Sequence, residues 1–437
     1  GGDPGGPRVG RSAPGAAVQG GRKRFGVPIA ISIVLASIIG IEFFTRLPLL
    51  LVPQQMFIGI DKFPLMAIPF FILAGNLMAA GGISQRLVDL AKSIVGRVQG
   101  GLAMSCVLTC MMFAAVSGSS VATTFAIGAI LIPAMVKHGY PKPLAASIQA
   151  SSAELGVLIP PSIPLILYGI VTETSISRLF ISGIVPGLLI GAALMVTTYI
   201  LANKQGGGVR QFRWDVLWKA FKDAWLALVL PVIVIGGIIG GVFTATEAAV
   251  AALLYSLAIS LLVYREFKLS ELMGMLIRTA RLTGMVMMLL AFATVIAWFL
   301  TINMVPQTLV RQVQAITQEP FLLLLIVAAL LLLVGFVMDL TPAMVIMAPM
   351  LAPIVTSVGV DAAYFGVLMA FILGIGLLTP PVGTCLYVGC GVGKVSMESL
   401  VKAMLPYYAA LLVVLVLLIA FPSIVTWLPD LTAVRGN

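Results

Sequence analysis

From about residue 26 onward the chain alternates long apolar runs with short basic or Gly/Pro-containing breaks, and runs such as Phe321 to Val337 and Ala409 to Phe421 carry no charge. That pattern predicts helical spans near 26–45, 63–80, 143–157, 162–173, 178–202, 224–241, 244–264, 284–302, 362–378, 382–393 and 400–428. Two segments resist it. Leu102 to Val136 and Phe321 to Thr356 are too long for one span, and small or polar residues interrupt each at its middle: Ser117-Gly118-Ser119-Ser120 and Met338-Asp339-Leu340-Thr341-Pro342. Each predicts a re-entrant hairpin with its tip near mid-depth. Hydrocarbon tolerates such backbone only where protein buries it or a wet cavity meets it.

Two further breaks, Ile159-Pro160-Pro161-Ser162 and Thr379-Pro380-Pro381-Val382, lie 220 residues apart inside apolar stretches. Proline has no N–H, so helical geometry leaves the carbonyls of Gly156 and Val157, and of Gly376 and Leu377, in need of partners. At the same offset Pro133 matches Pro353, Gly139 matches Gly359, Gly156 matches Gly376 and Pro186 matches Pro406. With slight drift, Ile83 to Val88 aligns with Val305 to Val310, and Gly26 to Ala30 with Gly241 to Ala245. The chain therefore divides into two copies, 26–202 and 223–430, each with a hairpin (about 102–136 and 321–356) and a broken helix (about 143–173 and 362–393).

Charge suggests how the copies are related. The amphipathic segment Ile83 to Gln99 holds Arg86, Lys92 and Arg97, whereas its counterpart Val305 to Gln318 holds only Arg311. Basic residues collect on the cytoplasmic side, so the copies are expected to have opposite topology, a recurrent plan of secondary transporters with sites at broken helices. The polar segment 203–222, with Lys204, Arg210, Arg213, Lys219 and Lys222, is expected to be a cytoplasmic linker. A span at roughly 224–240 has no apolar equivalent in the first copy, where the slot falls on polar residues 9–25. Residues 1–25 are expected to be a disordered tail or an artefact of the chain start, neither signal peptide nor span.

Composition agrees with this class. The 437 residues are 60% hydrophobic and 10% charged, with a mean hydropathy of +1.12. The fold class expected is an all-α polytopic membrane protein with two inverted repeats, each with a re-entrant hairpin and a Pro-Pro-broken helix. The net charge of +10 does not argue for nucleic acid, because it is spread between apolar runs rather than gathered in a basic domain. Cys106, Cys110, Cys385 and Cys390 lie in apolar context and read as small core residues. His138 stands in a loop beside Lys137 and Gly139, so neither histidine catalysis nor a transition-metal site is expected, and no phosphate-binding loop points to ATP.

The chemistry available is oxygen chemistry. Carbonyls freed at the breaks, the hydroxyls of Ser117, Ser119, Ser120, Ser162, Thr341 and Thr379, and the Asp339 carboxylate suit a hard monovalent cation, one site per repeat. The competing reading is that the prolines only kink helices and the serines only pack. Asp339 reads as a cation ligand or else as a structural partner, and Glu154 either as a ligand or as a partner of freed backbone. Glu247 stands at capping-box spacing from Thr244 and reads as structural.

At Pro69 to Met78, Ser117 to Thr123, Leu158 to Ser162 and Leu378 to Gly383 the chain resembles the large membrane subunit of tripartite ATP-independent periplasmic (TRAP) transporters, the DctM type, over about Gly26 to Trp427. The resemblance implies a Na⁺-driven importer of organic acids in a bacterial inner membrane, working without other cofactors as an elevator, with a fixed scaffold and a transport domain containing both hairpins. It implies a small four-helix membrane subunit and a periplasmic solute-binding protein as partners, and a carboxylate substrate. By motif, cation ligation falls on Ser117, Gly156, Ile159 and Pro161 in the first repeat and on Asp339, Gly376, Thr379 and Val382 in the second, with substrate near Ser119, Ser120, Thr341 and Pro380. The polar start and Glu154 depart from that pattern. A stand-alone cation-coupled anion symporter of similar architecture is the alternative, and a channel the third class.

Overall fold

The computed structural model describes residues 29–45, 47–96, 98–203, 214–265 and 269–433, and every regular element among them is helical. The first copy comprises α1 (Ile29–Phe44), α2 (Leu51–Ile60), α3 (Ala67–Ala80), α4 (Ile83–Val95), the hairpin arms α5 (Gly101–Ser117) and α6 (Ser120–Lys137), α7 (Lys142–Ala153), the single turn α8 (Leu155–Leu158), α9 (Ile163–Thr172) and α10 (Ile176–Asn203). The second begins with α11 (Trp214–Pro231), which runs through a π-helical turn into α12 (Gly237–Ile239). It continues with α13 (Ala245–Ala258), α14 (Leu269–Ile302), α15 (Val305–Ile316), the arms α16 (Pro320–Val337) and α17 (Leu340–Thr356), α18 (Ala362–Leu377), α19 (Thr384–Gly393), α20 (Met397–Ala420) and α21 (Ser423–Ala433).

The order from α1 to α10 recurs from α13 to α20, with α14 unbroken where the first copy has α2 and α3. Each of the two long segments is a pair of helices broken at the expected middle, with ends within a residue or two of those expected. Among the described residues nine stretches are long and apolar enough to cross a membrane, while the arms Gly101–Ser117 and Leu340–Thr356 are shorter than that. Thr244 and Glu247 form the capping box their spacing announced, with Thr244 N donating to the Glu247 carboxylate at 2.8 Å.

Some boundaries differ. α2 was not expected, since Pro53, Gln54 and Gln55 break its apolar run. α14 starts at Leu269 rather than near 284 and spans 34 residues; Glu271, Arg278 and Arg281 lower its hydropathy there, yet Leu, Met, Glu and Arg are good helix formers. α11 begins at Trp214, inside the segment expected to be linker, so residues 214–222 are helical. The last span stops at Ala420, before Pro422. The tail 1–25, the start of the Gly26 match, and Arg97, Lys204, Arg210 and Arg213 lie outside the described residues.

The two broken helices occupy the middle of the molecule. Every side chain from Ala363 to Leu377 on α18 is buried, as are Ala145 to Ala153 on α7. Around them the copies exchange partners: α19 packs on α6, and α9 packs on α17. Each helix leaving a Pro-Pro break thus lies against the other copy's hairpin. α13 packs on α3, and α14 on α1 and α2, as a flanking layer.

Candidate functional site

The first hairpin turns at Ser117-Gly118-Ser119. Gly118 takes φ 60°, which ends α5 in a left-handed residue, and extended Ser119 then caps α6 by accepting from Ala122 N. A side chain at Gly118 would run into the Pro161 carbonyl, and the Gly118 carbonyl accepts from Ile163 N at 3.4 Å. This tip therefore docks on its own copy's break. Gly156 completes the fit, for a Cβ there would stand 2.9 Å from Ser119 C and Ser120 N.

The second tip is built from different parts. Asp339 holds the N-cap position of α17 in extended conformation without capping it; instead its Oδ1 accepts from Thr384 Oγ1 at 3.1 Å, tying the tip to the start of α19. Gly376 packs against Gly335 of α16, with a Cβ at Gly376 only 2.8 Å from Gly335 Cα.

Both Pro-Pro bonds are cis. The breaks satisfy part of their own backbone: the Ser162 hydroxyl donates to the Val157 carbonyl, and the Gly376 carbonyl accepts from Thr379 N at 3.1 Å and Thr379 Oγ1 at 3.0 Å. These two hydroxyls, expected to be free oxygens, are turned back onto helix ends. Ile159 to Ser162 are buried, whereas Pro380 and Pro381 are exposed.

Between the tips lies a cavity of about 750 Å³ lined by Ser117, Ser119, Ser120, Gly156, Asp339 and Thr341, among others. Six of the sequence-derived positions meet there. Ile159, Pro161, Gly376, Thr379, Pro380 and Val382 do not line it. Two residues that sequence reasoning passed over also belong to the site: Thr384, through its bond to Asp339, and Asn76 of α3, which lines the cavity and donates to Thr279 Oγ1 of α14 at 3.3 Å. Asn76 had a signal, as the lone amide in the apolar run Ala67–Ala80. The opposite wall carries Leu282, Met285 and Met288 of α14.

Residues 23–424 match the family described as Tripartite ATP-independent periplasmic transporter, DctM component. The chain belongs to this DctM family. It is a multi-pass protein of the bacterial inner membrane, and its relatives are transporter permeases. It is 40% identical over 401 residues to the 2,3-diketo-L-gulonate TRAP transporter large permease protein YiaN of Escherichia coli, covering 92% of this chain and 94% of that protein. The C4-dicarboxylate TRAP transporter large permease protein DctM of Pseudomonas aeruginosa is 41% identical over 378 residues, covering 86% of this chain and 88% of the relative. The isethionate TRAP transporter permease protein DctMQ of Oleidesulfovibrio alaskensis is 44% identical over 401 residues, but the chain spans only 63% of its length. Among solved structures the YdaH transporter of Alcanivorax borkumensis superposes with a TM-score of 0.68 at 16% identity, covering 92% of this chain and 98% of that one, which speaks to the fold of the DctM chain alone.

Proposed function

We propose that this DctM-type permease imports small organic acids by Na⁺ symport, with one carboxylate and a ring of hydroxyls facing a shared cavity as the observation that carries the reading. Asp339, with Ser117, Ser119, Ser120 and Thr341, offers a hard, oxygen-only donor set, and the Ser120 hydroxyl is buried without a hydrogen-bond partner in the protein. Such a set fits Na⁺ and a carboxylate together, and fits a soft metal poorly. Na⁺, once bound, supplies positive charge against the substrate carboxylate and couples its entry to the ion gradient.

The chain's own residues then divide the work. Asp339, with Ser117, Gly156, Ile159, Pro161, Gly376, Thr379 and Val382, holds the cations, several through backbone carbonyls. Ser119, Ser120, Thr341 and the backbone at Pro380 orient the substrate between the tips. The names of relatives support the substrate class, since C4-dicarboxylates and 2,3-diketo-L-gulonate are carboxylates. The copies 26–202 and 223–430 act as inverted repeats, and the hairpins and broken helices move as one body against α3, α13 and α14. A small membrane subunit and a periplasmic binding protein complete the transporter.

Uptake into proteoliposomes containing both membrane subunits is expected to need an inward Na⁺ gradient and the substrate-loaded binding protein. Uptake that persists without Na⁺ overturns the coupling. Uptake without either partner identifies a stand-alone symporter instead.

A further inference from the structure

Positions that match at the offset of 220 also hold matching places in the order of elements. Ser119 and Asp339 each stand at the N-cap position of the helix that leaves a hairpin tip, though only the Ser119 side chain caps. Glu154 and Gly374 hold matching places on the two broken helices, and they touch, for a Cβ on Gly374 would collide with the Glu154 carboxylate. Each copy therefore carries one deep carboxylate, in a different place. The second copy has it on the tip and a glycine on the helix; the first has a neutral serine on the tip and the carboxylate on the helix.

Glu154 is fully buried, and neither carboxylate oxygen has a hydrogen-bond partner in the protein. Around it stand Gly374 of α18, against its carboxylate, and Cys385 of α19, which lies within electrostatic reach of both Glu154 and Asp339. An unpaired charge in this setting is strongly disfavoured. A neutral carboxyl fares little better, because its O–H needs an acceptor and finds none. A bound cation resolves the difficulty, and its other oxygens are close along the chain: Gly156, two residues on, packs directly on the backbone of Ser119 and Ser120.

We infer that Glu154 is the anionic oxygen donor of the first-repeat cation site, serving it as Asp339 serves the second, and that a monovalent cation sits against it. The inference rests on the Na⁺-coupled reading and adds a ligand which the motif does not supply. It gives the two sites equal charge by unequal means.

The test is Na⁺ binding to the purified full-length permease, read by radioactive Na⁺ and by the Na⁺-dependent rise in Tm, for wild type and Glu154→Gln. The variant keeps the shape and removes the charge. Its Na⁺ affinity is expected to fall about tenfold or more, as a Coulomb term at close range requires, with the Tm in choline no lower than wild type. A Na⁺ affinity and thermal shift equal to wild type overturn the inference while leaving Na⁺ coupling intact. A wild-type protein that binds no Na⁺ overturns both, so the two failures differ. If Glu154→Gln does not fold, Glu154→Asp decides: weakened but Na⁺-specific binding supports the ligand role, and wild-type affinity with a withdrawn carboxylate defeats it.

Discussion

Asp339 is held at the second tip by one hydroxyl, that of Thr384. Two substitutions separate its charge from its position. Asp339→Asn keeps the bond to Thr384 and is expected to weaken Na⁺ binding about tenfold or more, measured by Na⁺ titration of the thermal shift, with little change in Tm in choline. Thr384→Val keeps the charge and frees the side chain, so its loss of affinity is expected to be smaller, a few-fold, on the order of the net worth of one ordinary hydrogen bond, about 1 kcal/mol or less. At this scale sequence was selective. A lone carboxylate in an apolar segment announces itself by the cost of burying it, as Asp339 did. Thr384 did not, because a threonine four residues past a proline pair has no distinctive period, and Gly374 could not, because its meaning is the side chain it leaves room for. The hydroxyls of Ser162 and Thr379 were legible as oxygens but not as ones their own helix ends would take.

Elements meet at glycines. α16 and α18 approach through Gly335 and Gly376, and the first tip reaches α8 through Gly156. Gly376→Ala places a methyl 2.8 Å from Gly335 Cα, where backbone on both sides leaves little room to adjust. Overpacking of this kind costs about 1–3 kcal/mol, so a lower Tm is expected, together with weaker Na⁺ binding at the second break. Gly391→Ala is the control: it lies within α19 with nothing within 4 Å of the added carbon, and no loss of Tm is expected. Hairpins were readable because their length conflicts with a single crossing while their middles are polar. The start of α14 was not, since hydropathy penalises Arg278 and Arg281 although both residues favour helix. α2 and the beginning of α11 failed for the same reason: hydropathy finds membrane depth, and helices extend beyond it.

For the whole molecule, exposure separates the two breaks. Ile159 to Ser162 are buried while Pro380 and Pro381 are open, so under the elevator reading this conformation offers the second break to solvent and withholds the first. With the four native cysteines replaced, Pro380→Cys is expected to react with a membrane-impermeant maleimide much faster than Ile159→Cys, as followed by gel shift. Equal labelling would remove exposure as a guide to the state. The ordering was invisible in the chain, where the two breaks look alike, because exposure is set by what packs on each break from elsewhere in the fold.

The contact of Glu154 with Gly374 also bears on ancestry. Two copies of the first half joined to each other would press glutamate against glutamate, and two of the second would set glycine against glycine over a void. Only the unlike pair closes. At this contact each half fits the other and would not fit a copy of itself, so the pair acts as a lock and key between the halves.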